Sequence, residues 1–406
     1  MITYIKLAWR NLWRNKKRTL IAASSVFFAV ILSLIMRSMQ KGYYDYMIDS
    51  SVRLYTGHIQ IHGKDFWEKR SLEESMIFDE STINKIKQNK SISNIIPRLE
   101  TYSLISFGKV SRVVQVTGIE PDLENEVTKL KGKIVEGNYL GENSNGILIA
   151  EGLAKLLNAN VGDSVILYGQ GYHGITAAAI VPVVGIVRFT IPEQNKTFTY
   201  LSLNFAQEHF SAYDRITSLS ILLKDATEIE SVKSFLKNLF DDTHEIMDWT
   251  ELSPELVQSI QIDNASGIIM LGILYVVIAF GIFGTIVMMT AERVKEFGIL
   301  VSIGMKKWKL AVVTTLETIF ISFIGVAAGV LASIPILLYL VDHPIPLTGE
   351  TAEAILEWGF DPIIPFAFYS GMYFAQIWTV LAIAVLSAFY PFNFIRKLKP
   401  SAALRG

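Results

Sequence analysis

Residues 264–291 read NASGIIMLGILYVVIAFGIFGTIVMMTA, a run without one charged side chain. A helix crosses the hydrocarbon of a bilayer with about 20 apolar residues, so this stretch is long enough to span a membrane. Working outward, Leu310–Val341 holds a single charged residue, Glu317, and Pro362–Ile395 holds none. Pro362 and Pro365 suit the start of a helix, which places this span over Phe366–Phe392 with Pro391 at its far end. The N-terminal apolar block is shorter, Thr19 to Met36, and Arg37 follows it with a side chain long enough to reach the interface. The apolar core of a cleaved leader is about 7–15 residues long and precedes a small-residue cleavage site. Thr19–Met36 exceeds that length and lacks such a site, so it reads as a first span.

The composition agrees. Of 406 residues, 51% are hydrophobic and 18% charged, against about 25% charged in soluble proteins, and the apolar excess falls in these blocks. A net charge of -1 provides no general basic field for nucleic acid. The absence of cysteine excludes disulfides, thiolate metal sites and cysteine nucleophiles.

Lys and Arg in the short flanks set the orientation. Residues 1–18 carry Lys6, Arg10, Arg14, Lys16, Lys17 and Arg18 and no acid, 292–309 carry five basic residues, and 396–406 carry four. The loop Asp342–Asp361 has five acids and no Lys or Arg. The expected arrangement is an amphipathic cytoplasmic helix over 1–18, with spans over 19–42, 264–291, 310–341 and 366–392. An extracytoplasmic α+β domain lies over 43–263 between spans one and two. A cytoplasmic loop over 292–309, an outer loop over 342–365 and a cytoplasmic tail over 393–406 complete the chain. Within 1–18, Ile2, Ile5, Trp9, Leu12 and Trp13 recur at helical spacing beside a basic face, the pattern of an interfacial helix. Within 43–263, period-two runs such as Gly57–Gly63 and Tyr102–Phe107 alternate with helical patterns near 203–210 and 227–240, giving mixed α+β content.

Catalytic chemistry is hard to place. The nearest approach to a phosphate-binding loop, Gly141–Gly146, lacks the Lys that such a loop needs and reads as a turn. His58, Gln60 and His62 share one strand face, which is expected to be solvated rather than to hold a metal, because no third ligand is near. No nucleophile, base and oxyanion hole assemble. Glu317 is the one acid inside a span and is a functional candidate, with an interfacial or helix-capping role as the alternative. Gly325 and Gly329 form a G-x-x-x-G pair for close helix contact, within one subunit or between two. In Ala291–Leu310, Phe297, Ile299, Leu300 and Ile303 stand in helical register, and these apolar residues are expected to be exposed unless a partner covers them.

Four features resemble the MacB/FtsX/LolC family of ABC-transporter permeases. They are the basic segment Leu7–Thr19 (LAWRNLWRNKKRT), the large domain after span one, the loop Ala291–Met305 (AERVKEFGILVSIGM), and the end formed by Tyr390–Pro391 and Lys399–Arg405 (KPSAALR). The resemblance covers nearly the whole chain and implies a permease, not itself an enzyme, of the bacterial inner membrane. Such a permease pairs with a second permease copy or homologue and recruits a separate ABC ATPase, which holds the ATP and Mg; this chain has no cofactor or catalytic residue of its own. The loop would dock the ATPase through Glu292, Arg293, Glu296, Phe297, Gly298, Ile299 and Gly304, and ATP-driven closure would reach the extracytoplasmic domain. The layout is closest to the lipoprotein-releasing members, which implies extrusion of a lipoprotein or other hydrophobic substrate. An adaptor-dependent peptide or drug exporter, or a non-transporting scaffold, is the alternative.

Overall fold

The computed structural model describes residues 2–398 apart from 15, 78, 190–191 and 358–361, so the tail motif Lys399–Arg405 lies outside the described residues. The chain divides into two units: Met1–Asp45, Ile260–Ile345 and Ile364–Gly406 form one, and Tyr46–Ser259 with Pro346–Ile363 form the other. The helices used below are α1 Ile2–Arg14, α2 Lys16–Ser51, α3 Glu80–Ile86, α4 Pro121–Thr128, α5 Ile229–Leu239, α6 Trp249–Leu252, α7 Pro254–Glu292, α8 Val294–Ser302, α9 Lys307–Asp342, α10 Ser370–Ser387 and α11 Phe389–Lys397.

Four helical segments are long and apolar enough to cross a membrane: α2, α7, α9 and the segment Ser370–Lys397. With 36, 39 and 36 residues, α2, α7 and α9 outrun the ~20 residues that hydrocarbon requires, so each continues as helix beyond it. In α2 the buried positions Ala22, Val26, Ala29, Val30, Ser33 and Leu34 fall on one stripe at helical spacing. That stripe meets α9 at its two glycines. A Cβ on Gly325 would lie 2.7 Å from the Ala23 carbonyl oxygen, and one on Gly329 would lie 2.9 Å from Val30 Cβ. The G-x-x-x-G pair is therefore filled by span one of the same chain. In contrast, α7 buries only a narrow line, Leu271, Ile278, Ile282, Ile286 and Thr290, and Cβ atoms on Gly272, Gly281 and Gly284 would meet open space.

The fourth span corrects the expectation of one helix ending at Pro391. The helix breaks at Ala388, and Pro391 is buried inside the next helix, α11. Proline has no N–H to give the carbonyl four residues earlier, and its ring crowds that carbonyl; the Pro391 acceptor would be Ser387, the last residue of α10. The break thus falls one turn before the proline.

In the second unit, ten strands form one sheet. They are β1 Ile59–Gly63, β2 Ile92–Phe107, β3 Val110–Ile119, β4 Ile134–Gly137, β5 Ile147–Ala150, β6 Ser164–Gln170, β7 Thr176–Val187, β8 Phe198–Ser202, β9 Ser218–Leu223 and β10 His244–Asp248. The order is β10-β1-β9-β2-β3-β8-β5-β7-β4, with β6 pairing β2 and β7. The sequence β1-α3-β2-β9-α5-β10 is a βαββαβ motif whose strands are antiparallel in the order 4-1-3-2, the ferredoxin-like arrangement. The remaining strands are inserted between its second and third. Val232 and Leu236 on α5 and Ile86 on α3 are buried in the same core as Ile59, Ile61, Leu219 and Ile221.

Strand β1 lies inside the sheet, between β9 and β10, and every residue of it is buried. The expected solvated histidine face is thereby corrected. His58 Nδ1 accepts the Leu223 N–H at 3.1 Å, Gln60 donates to Ser220 Oγ at 3.2 Å, and His62 is 0% exposed, stacked on Trp67 at 5.9 Å. Burial lowers the His62 pKa to about 4, with the Arg70 charge as the second cause. Glu245 stands 3.7 Å from Nδ1, but its side chain is 37% exposed and water screens it.

Candidate functional site

The segment linking α7 to α9 is short and mostly helical. Helix α8 ends in a Schellman motif: Met305 N–H donates to the Leu300 carbonyl at 3.0 Å and Gly304 N–H to the Val301 carbonyl at 3.1 Å. Gly304 takes φ +107°, a conformation that L side chains rarely adopt. Its glycine has a definite role, because it ends the helix and turns the chain toward α9.

The structure divides the candidate residues into two groups. Phe297 is 0% exposed and packs with Leu310, Ala311, Ile395 and Leu398. The expectation that it is exposed fails because α11, at the other end of the sequence, covers it. Gly298 is buried as well. Ile299, Leu300 and Ile303 remain open, at 49%, 39% and 80% exposure. An apolar residue as exposed as Ile303 gains nothing from water, so these three side chains form an open apolar surface at the end of α8.

The charged candidates are engaged within the chain. Arg293 is 7% and Glu317 3% exposed. The Arg293 guanidinium donates to Glu317 Oε2 and to Glu296 Oε2 at 3.2 Å, and Asn11 Nδ2 donates to Glu317 Oε1 at 2.7 Å. Glu317 thereby joins α1, the turn before α8 and α9; it is engaged by Asn11 and Arg293 rather than standing as a free intramembrane carboxylate, and this bridging role is not among the expected ones. Glu292 pairs with Arg18 at 2.8 Å and Glu296 approaches Arg14 at 3.9 Å. Asn11, Arg14 and Arg18 escaped the sequence reading as members of this site. A signal for the two arginines was present: Arg14 and Arg18 are spaced by four, as are Glu292 and Glu296, so the pairs match if the helices run oppositely.

Comparison with known proteins gives this geometry a family. Residues 19–239 match the MacB-like periplasmic core domain, over half of the chain, and residues 268–400 match the FtsX-like permease C-terminal model. The chain belongs to the MacB/FtsX/LolC family of ABC-transporter permeases. The domain between spans one and two is thus the family's extracytoplasmic domain. The chain is 22% identical over 434 residues to the lipoprotein-releasing system transmembrane protein LolE of Haemophilus influenzae, covering 100% of this chain and 99% of that one. It is 23% identical over 258 residues to LolC of Neisseria meningitidis, covering 61% of this chain and 62% of that protein's length. Among solved structures, the periplasmic region of MacB from Actinobacillus actinomycetemcomitans matches 53% of this chain and 98% of its own, with 18% identity and a TM-score of 0.36.

Proposed function

We propose that this chain is a permease subunit that relays closure of a separate ABC ATPase, docked on α8, to the extracytoplasmic domain, so as to extrude a lipoprotein or other hydrophobic substrate. In this reading α1, α8 and the tail face the cytoplasm, as the Lys and Arg asymmetry favours. ATP and Mg belong to the partner, and a second permease, identical or homologous, covers the open glycine-bearing side of α7.

The observation that carries the reading is the construction of α8. Ile299, Leu300 and Ile303 are presented outward, while Phe297 is locked inward and Arg293 fixes the start of the helix to Glu317. A force on the exposed side would pass into α9 and, through Asn11 and Arg18, into α1 and α2. A scaffold without an energy source has no use for this combination.

The substrate is tested in proteoliposomes holding the permease, its ATPase and a triacylated lipoprotein. ATP-dependent appearance of the lipoprotein in the soluble fraction, with a lipid-binding acceptor present, is the expected result. Release of an unacylated peptide or drug, but no lipoprotein, would favour the adaptor-dependent exporter; macrolide export is the activity in the name of one MacB relative.

A further inference from the structure

Helix α1 has three faces, of which one is buried against protein and two are largely exposed. Ala8 and Leu12 are buried, Leu12 clustering with Ala22, Ala23 and Ile321, while Trp9 meets Phe320 edge-on at 5.9 Å. The second face carries Ile5, Trp9 and Trp13 at i, i+4 and i+8, with 43%, 48% and 52% exposure. The third carries Lys6, Arg10 and Arg14 at the same spacing one residue on, hence about 100° around the helix and bordering the exposed apolar face.

Two of the six cations in 1–18 are engaged, Arg14 by Glu296 and Arg18 by Glu292. Lys6, Arg10, Lys16 and Lys17 are exposed and have no ion-pair partner among the described residues. No acid lies in 1–18 to neutralise them. An apolar face edged by unpaired cations, on a helix that leads into a membrane span, needs hydrocarbon and negative charge side by side. A bilayer surface containing anionic lipid supplies both, with tryptophan at the depth of the headgroups.

We propose that α1 and the start of α2 bind anionic phospholipid headgroups, the phosphates meeting Lys6, Arg10, Lys16 and Lys17 while Ile5, Trp9 and Trp13 enter the acyl-chain boundary. Arg14 stands between the two partners. A headgroup at Arg10 competes with Glu296 for it, so the lipid composition bears on the loop that holds α8.

The absence of cysteine permits a direct test on the full chain in nanodiscs. A fluorophore is placed at Thr3→Cys, an exposed position on α1, and quenched by spin-labelled phosphatidylglycerol or spin-labelled phosphatidylcholine at equal mole fraction. The expected result is quenching by the anionic lipid at least about threefold stronger at low salt, falling to parity when Lys6, Arg10, Lys16 and Lys17 are all changed to Gln, or in about 0.5 M salt. Equal quenching by the two lipids, or a preference that survives the fourfold variant, would overturn the proposal. So would loss of the preference on adding soluble glycerol phosphate, which would make the site one for free phosphate. These four side chains are exposed, so the fourfold variant leaves the packing of α1 intact. Neither ATPase nor transport substrate is present, so the result is independent of the coupling role proposed above.

Discussion

Arg293, the residue after α7, forms a buried ion pair with Glu317, which lies inside the membrane-spanning helix α9 and also accepts a hydrogen bond from Asn11. Removing one partner of a buried pair strands the other charge, which costs about 3–5 kcal/mol, whereas replacing both by apolar groups is often near neutral. The double variant Arg293→Leu, Glu317→Leu should therefore be closer to wild type in thermal stability than either single variant. The check is a double-mutant cycle in detergent. Additive losses would mean that the pair contributes no coupling.

The glycines of α9 and α7 should respond in opposite ways. Ala at Gly325 places a Cβ 2.7 Å from the backbone of α2 and must push the helices apart, so a loss of about 1–3 kcal/mol is expected, as for overpacking. Ala at Gly272 or Gly284 meets nothing and should stabilise the isolated chain slightly through helix propensity. Thermal unfolding of the three single variants decides. Equal responses would contradict the assignment of one glycine face to intrachain packing.

What the sequence made legible here, and what it did not, follows from the range of the interactions. The spans were readable because twenty consecutive apolar residues are a local property. The ferredoxin-like order was not, since β2 and β9 pair across the whole inserted region. Phe297 was misread for a related reason: its neighbours Ile395 and Leu398 belong to the C-terminal part of the chain, so no local pattern marks the residue as covered. His62 was misread because a period-two strand with polar residues on one face normally leaves that face in water. A central position between β9 and β10 overrides this.

His62 gives the extracytoplasmic domain a pH dependence. An unfolded imidazole takes its proton near pH 6.5, whereas burial delays this in the folded chain to about 4. Above about pH 6.5 neither state holds the proton and the group has no effect. Below it the unfolded state alone is protonated, so stability falls as pH falls toward 4, by up to about 1.4 kcal/mol per unit. Denaturation of wild type and His62→Phe at several pH values should show a shallower slope for the variant across this window. Parallel slopes would mean that His62 protonates as freely folded as unfolded.

A second charged joint lies just before α7. Lys233 on α5 donates to Asp248 Oδ2 at 2.6 Å and to Glu251 Oε2 at 2.5 Å, and these two acids form the capping box of α6. Lys233 and Asp248 are 8% and 7% exposed. Lys233→Met keeps the packing of the side-chain stem but leaves Asp248 unpaired, so a loss of about 2 kcal/mol or more is expected. Protease cleavage between α6 and α7 should rise with it. An unchanged cleavage rate and melting temperature would show the joint to be held by the capping box alone.

The central claim is that the open side of α8 is where the ATPase docks. Ile303 and Leu300 are 80% and 39% exposed, so changing both to Asp is expected to leave Phe297, the Arg293–Glu317 pair and membrane insertion intact. The decisive measurement is co-purification of the ATPase with the tagged permease, quantified for wild type and for the variant Leu300→Asp, Ile303→Asp. Burying two unpaired carboxylates in an apolar contact is costly enough to lower binding by about 100-fold or more, so the ATPase should be lost while the permease still inserts and melts as wild type. Full ATPase recovery with that variant would contradict the account.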